Sequence, residues 1–131
     1  VEEIALDGRR RRLLRDATRP AAVSPDGRLI AVPAFGGSAP DLKRKVVVIP
    51  RRAGAPREID VEPDVVAWSP DGRWLAIGGT EGLQVVSADG RETRRIAEMD
   101  PPNAFTGIAW SPDSRRLAFS QDHEGYRTVD E

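Results

Sequence analysis

VAWSPDGRWLAIGG, residues 66–79, has two variants elsewhere in the chain: AVSPDGRLIAV at 22–32 and AWSPDSRRLAF at 109–119. The serine of the phrase falls at Ser24, Ser69 and Ser111, so the spacings are 45 and 42 residues. A repeat of about 40 to 50 residues is the length of a four-stranded propeller blade. The centre of the phrase predicts a tight turn. Pro25, Pro70 and Pro112 preset the backbone dihedral at its second position. Asp26, Asp71 and Asp113 can accept hydrogen bonds from nearby backbone. Gly27 and Gly72 suit the turn's exit. The third copy carries Ser114 at that glycine position, which predicts a less comfortable turn.

Apolar runs flank each turn. Ala22-Val23, Val66-Ala67-Trp68 and Ile108-Ala109-Trp110 precede it. Leu29 to Val32, Trp74 to Ile77 and Leu117 to Phe119 follow it. The runs are continuous rather than alternating, so they predict strands buried on both faces, as the inner strands of a blade are between neighbouring blades. Ala31, Ala76 and Ala118 recur at the middle of the second strand, where a small residue lets sheets approach.

The remainder of each period predicts two more strands. Val46 to Ile49 and Leu83 to Val86 read as third strands. Pro56 to Val61 and Glu92 to Ile96 read as charged fourth strands at a blade's outer edge, where charge opposes edge-to-edge pairing. The opening VEEIALDGRRRRLLRD aligns with LQVVSADGRETRRIAE, placing Asp7-Gly8 over Asp89-Gly90. The closing GYRTVDE reads as another third strand. The expected fold is therefore all-β, a β-propeller of four-stranded antiparallel blades amounting to about three blade equivalents. Residues 1–19 supply third and fourth strands, 20–62 and 63–106 full blades, and 107–131 first to third strands. Propellers close with about 4 to 8 blades. This reading therefore expects an incomplete ring, to be completed by the rest of a parent chain or by another copy.

Composition narrows the function. The chain has 131 residues, 31% of them charged, yet a net charge of only -1, which gives no global pull toward nucleic acid or an anionic membrane. It has no Cys, which excludes disulfides, thiol catalysis and Cys-ligated metal sites. It has no apolar run of membrane-spanning length, so membrane insertion is not expected. The Arg run at 9–12 follows a hairpin turn without interleaved aromatics and reads as a solvated blade edge. GGSAP at 36–40 is not the G-x-S-x-G of a nucleophile elbow, and there is no phosphate-binding glycine motif.

AWSPDGRWLAI followed by SADGRETRRI resembles the TolB-type propeller repeat of bacteria, a WD-like repeat, over nearly the whole chain. The Gly-His and Trp-Asp dipeptides of ordinary WD repeats are missing. The resemblance implies a non-catalytic scaffold for protein–protein interaction in a periplasmic or other extracytoplasmic setting, with no cofactor. TolB itself would pair with a peptidoglycan-associated lipoprotein. A second reading is the substrate-gating propeller of a prolyl-oligopeptidase-family serine peptidase, with the catalytic domain outside this chain. A third is a free-standing fragment that self-assembles.

Blade geometry puts the SPDG and DG turns on one face of the disc. The more irregular segments, Pro33 to Lys45, Ala97 to Gly107 and Gln121 to Gly125, fall on the other. Loops on a rigid scaffold are where binding resides. The candidate binding residues are Asp41, Lys43, Arg44, Asp100, Asn103, Phe105, Asp122, His123 and Glu124. His123 is the only His, and no spaced His or Cys accompanies it, so no metal site is expected. No catalytic residue is expected either.

Overall fold

The computed structural model describes residues 2–4, 7–12, 21–36, 43–98 and 104–122. Among the described residues, twelve strands run in chain order. The first are β1 (Glu2–Ile4), β2 (Arg10–Arg12), β3 (Ala22–Val23), β4 (Leu29–Gly36), β5 (Lys43–Pro50) and β6 (Arg57–Ile59). The rest are β7 (Pro63–Trp68), β8 (Trp74–Gly79), β9 (Gly82–Ser87), β10 (Thr93–Ala97), β11 (Ala104–Trp110) and β12 (Leu117–Asp122). The described residues include no helix. Two four-stranded sheets, β3-β4-β5-β6 and β7-β8-β9-β10, are consecutive antiparallel meanders. Two-stranded sheets β1-β2 and β11-β12 accompany them. The fold is all-β and is an incomplete propeller of blades.

Among the described residues, the turn of the repeated phrase is one structure built four times. Ser69 Oγ donates to Asp71 Oδ1 at 2.6 Å, the same oxygen accepts the Arg73 N–H at 3.0 Å, and the Trp74 N–H reaches back to Ser69 Oγ at 3.0 Å. Ser24, Asp26, Arg28 and Leu29 repeat these bonds, as do Ser111, Asp113, Arg115 and Arg116. The fourth instance joins β9 to β10 through Ser87, Asp89, Arg91 and Glu92, where Ala88 stands in the proline's place. Gly27, Gly72 and Gly90 take positive φ of 72°, 73° and 76° at its exit, and Ser114 follows them at 61°.

The first two blades pack through the faces that alternation assigns. Ala31, Val46, Val48 and Val61 of the first meet Trp68, Leu75, Ile77 and Val86 of the second, all buried. Ile30, Val32, Ala34, Val47 and Ile49 form a second cluster on the other face of the first blade. Burial on both faces thus holds for β4 and β8. It fails for β12: Ala118 is exposed and Phe119 is 45% exposed, because among the described residues no sheet covers the outer face of β11-β12.

Polar bonds cross the blade seams at repeated positions. Trp68 Nε1 donates to the Ala22 carbonyl at 2.9 Å, and Trp110 Nε1 donates to the Ala67 carbonyl at 3.0 Å. Each indole thus ties its blade's first strand to the first strand of the blade before. Arg57 Nη2 reaches the Ala88 carbonyl at 2.8 Å.

Several strand boundaries differ from expectation. The segment 33–45 was expected as loop, yet β4 continues through Pro33 to Gly36 and β5 begins at Lys43. Pro33 pairs with Val46 of β5, and among the described residues β3 pairs with β4, Ala22 with Ala31 and Val23 with Ile30. β11 starts at Ala104 rather than near 107. The closing segment expected as a third strand lies outside the described residues.

Candidate functional site

The loop face is built where β4 leaves, β5 and β7 enter, and β11 packs against β7. Sequence reading placed Lys43, Arg44 and Phe105 in loops here; all three are strand residues. Lys43 opens β5, opposite Gly36, and is exposed. Arg44 is half-buried. Its Nη1 donates to the Pro63 carbonyl at 3.2 Å and lies 3.7 Å from Asp64 Oδ1. Asp64 Oδ2 accepts the Phe105 N–H at 3.2 Å. One carboxylate therefore braces the first blade, through Arg44, and the third, through the Phe105 backbone.

Phe105, expected as a candidate binding residue on a loop, is instead a core residue of β11: it is 3% exposed. Its ring lies 5.5 Å from that of Phe119, and a Cβ placed on Gly78 would come within 2.7 Å of its Cγ. The aromatic ring fills the space that Gly78 leaves. Asp122 closes β12, opposite Ala104, and is exposed. Asp41, Asp100, Asn103, His123 and Glu124 lie outside the described residues. The structure thus brings Arg44 and Phe105 together through Asp64, which was not among the expected site residues.

Asp64 acts through a β-bulge. The β7-β8 register shifts between Pro63 and Val65, so Asp64 has no partner in β8. The β11-β12 register shifts likewise between Phe105 and Gly107, at Thr106, whose hydroxyl instead meets Ser120 Oγ at 2.8 Å. The bulge recurs at one repeat position, and a bulge re-aims the side chain it carries. An Asp ahead of an apolar strand was the available signal, but nothing in the sequence marked the extra residue.

Gln84, buried on β9, gives its amide to Glu81 Oε2 at 2.9 Å, beside the short turn joining β8 to β9. That turn is closed by the Thr80 N–H on the Glu62 carbonyl at 3.2 Å. A Cβ on Gly79 would come within 2.0 Å of the same carbonyl.

Among the described residues, no group of three His, Cys, Asp or Glu side chains could hold a metal. The shifts found lie in the turns: Asp26, Asp71, Asp89 and Asp113 are all held below their ordinary value of 3.8. At Asp71, Asp89 and Asp113 the serine hydroxyl is the larger cause and the following backbone N–H the second; at Asp26 the order is reversed. Such groups stay ionised, the opposite of what a general acid requires.

No family model matches the chain. It is 26% identical, over 120 residues, to the 77 kDa echinoderm microtubule-associated protein of Strongylocentrotus purpuratus, covering 86% of this chain and 17% of the relative. It is 27% identical, over 107 residues, to WD repeat and HMG-box DNA-binding protein 1 of Homo sapiens, covering 76% of this chain and 9% of the relative. The sheets and these likenesses fit a WD-like propeller. The chain spans less than a fifth of either relative.

Proposed function

We propose that this chain is a non-catalytic propeller segment of the TolB-type, WD-like kind, presenting its loop face to a protein partner. The observation that carries the reading is the Asp64 brace. Arg44 of the first blade, Asp64 of the second and the Phe105 backbone of the third meet at the strand ends from which the loops depart. A scaffold that holds loop ends rigid lowers the ordering cost of binding. The two relatives support an interaction role, since one is named as microtubule-associated and the other as DNA-binding. Here the partner is taken to be a protein, engaged by Lys43, Asp122 and the segments around 41, 100–103 and 123–124. Further blades complete the ring.

Cross-linking of the chain to a partner captured with it, followed by mapping of the linked residues, tests this. Links concentrated at Lys43 and in the segments 37–45, 97–104 and 121–125 are expected. Links concentrated on β6 and β10, the outer strands, would overturn it.

A further inference from the structure

We infer that the cleft between the Ser24–Arg28 turn and the loop after β5 binds an acidic peptide segment of a protein partner, with Arg28 and Arg52 taking its carboxylates. The cleft lies on the turn face, away from the loop face, and does not depend on the reading above. Its volume is about 620 Å³, within the ~300–1,000 Å³ usual for ligand clefts. Leu29 and Pro50 give it apolar walls, and Arg28, Arg51 and Arg52 its charge.

The cleft is larger where the first blade breaks the repeat, about 620 Å³ against about 410 Å³ at the same place in the second. The second blade joins β9 to β10 with the compact Ser87–Glu92 turn, whereas residues 51–56 of the first form a longer loop. Arg51 fastens that loop to the turn: its N–H donates to the Arg28 carbonyl at 2.9 Å and its Nη1 to the Gly27 carbonyl at 3.0 Å. Arg28 and Arg52 are exposed, and neither guanidinium hydrogen-bonds a described residue. The corresponding cavity of the second blade sets the single Arg73 between Asp71 and Asp89. The positive excess of the first cleft, three Arg against Asp26, is therefore absent from the second, where Arg73 and the nearby Arg57 stand against two Asp. A net charge of -1 for the chain conceals this.

The lining selects a peptide over a nucleic acid. A guanidinium takes a carboxylate through two parallel hydrogen bonds. No aromatic side chain lines the cleft for a base to stack on. Asp26 also lines the cleft, and its carboxylate can accept from a peptide N–H. Leu29 and Pro50 suit an aliphatic side chain beside the acidic ones.

The test is fluorescence anisotropy of a labelled Glu-rich peptide carrying single Leu residues, titrated with the full chain. The peptide binds the unaltered chain, and the R28Q/R52Q double variant weakens binding about tenfold or more. Melting stays unchanged, since both side chains are exposed. Arg91→Gln, at the second-blade turn, leaves affinity within about twofold. Four results would overturn the inference: no binding by the unaltered chain, undiminished binding by the double variant, an equal loss in Arg91→Gln, or tighter binding of a single-stranded oligonucleotide of matched charge.

Discussion

Ser114 occupies a left-handed φ of 61° that costs a non-glycine residue about 1 kcal/mol or more. The structure shows what offsets the cost. Its Oγ accepts the Asp71 N–H at 3.0 Å, linking the third blade's turn to the second's. A hydrogen bond of this kind contributes about 1 kcal/mol. Ser114→Ala keeps the strain and loses the bond, so it should destabilise by about 1 kcal/mol in denaturant unfolding. Ser114→Gly loses both and should fall closer to zero; a larger loss for the glycine variant would contradict this. The turn aspartates give a pH prediction. Each is held below 3.8 in the folded chain, so its stabilisation is complete above about pH 4 and is lost as pH falls through the lowered value. The melting temperature should therefore drop on acidification below about pH 4. Replacing all four by Asn, whose Oδ1 can accept the same two bonds, should blunt that drop. An equal drop in the Asn variant would show that the turns are not responsible.

At the scale of the strand, two predictions separate packing from polar bonding. Trp68→Phe retains a buried ring but loses the bond to the Ala22 carbonyl, and should cost about 1 kcal/mol. Trp68→Ala also loses the packing and should cost about 3 to 5 kcal/mol. Similar losses for both in thermal unfolding would remove the ring from the account. Gly79→Ala drives a Cβ to within 2.0 Å of the Glu62 carbonyl, a backbone atom. Gly78→Ala meets Phe105 Cγ at 2.7 Å and its Cβ at 3.0 Å, the near end of a buried side chain. Both should destabilise, by about 1 to 3 kcal/mol or more, with Gly79→Ala the worse. The inner strands were legible because continuous apolar runs and a Ser-Pro-Asp turn are local signals. The reach of β4 through Pro33 to Gly36 was not, since it is set by pairing with Lys43 to Val46 across the intervening loop. The bulge at Asp64 was not, because an added residue changes register without changing composition. Phe105 looked like a loop residue because its burial depends on Gly78, distant in sequence.

Over the whole molecule, the repeated seam bonds have a direction. Trp68 reaches back to Ala22 and Trp110 to Ala67, so the next carbonyl in the series is that of Ala109, itself an exposed residue. The first copy carries Val23 at the tryptophan position, with no indole to donate, and is 57% exposed there. Ala109 and Ala118 face outward from β11-β12, while Ile96 is 53% exposed on β10. A sheet face of this kind is normally covered by a neighbouring blade. Repeat spacing made the blades legible, but which faces stay open depends on packing between sheets. The central claim is that these blades form an open segment that needs further blades against it. Light scattering behind size exclusion tests it most directly. The account predicts that the isolated chain associates into species heavier than 14.3 kDa, two copies supplying about six blades. A monodisperse 14.3 kDa monomer that melts cooperatively would contradict it.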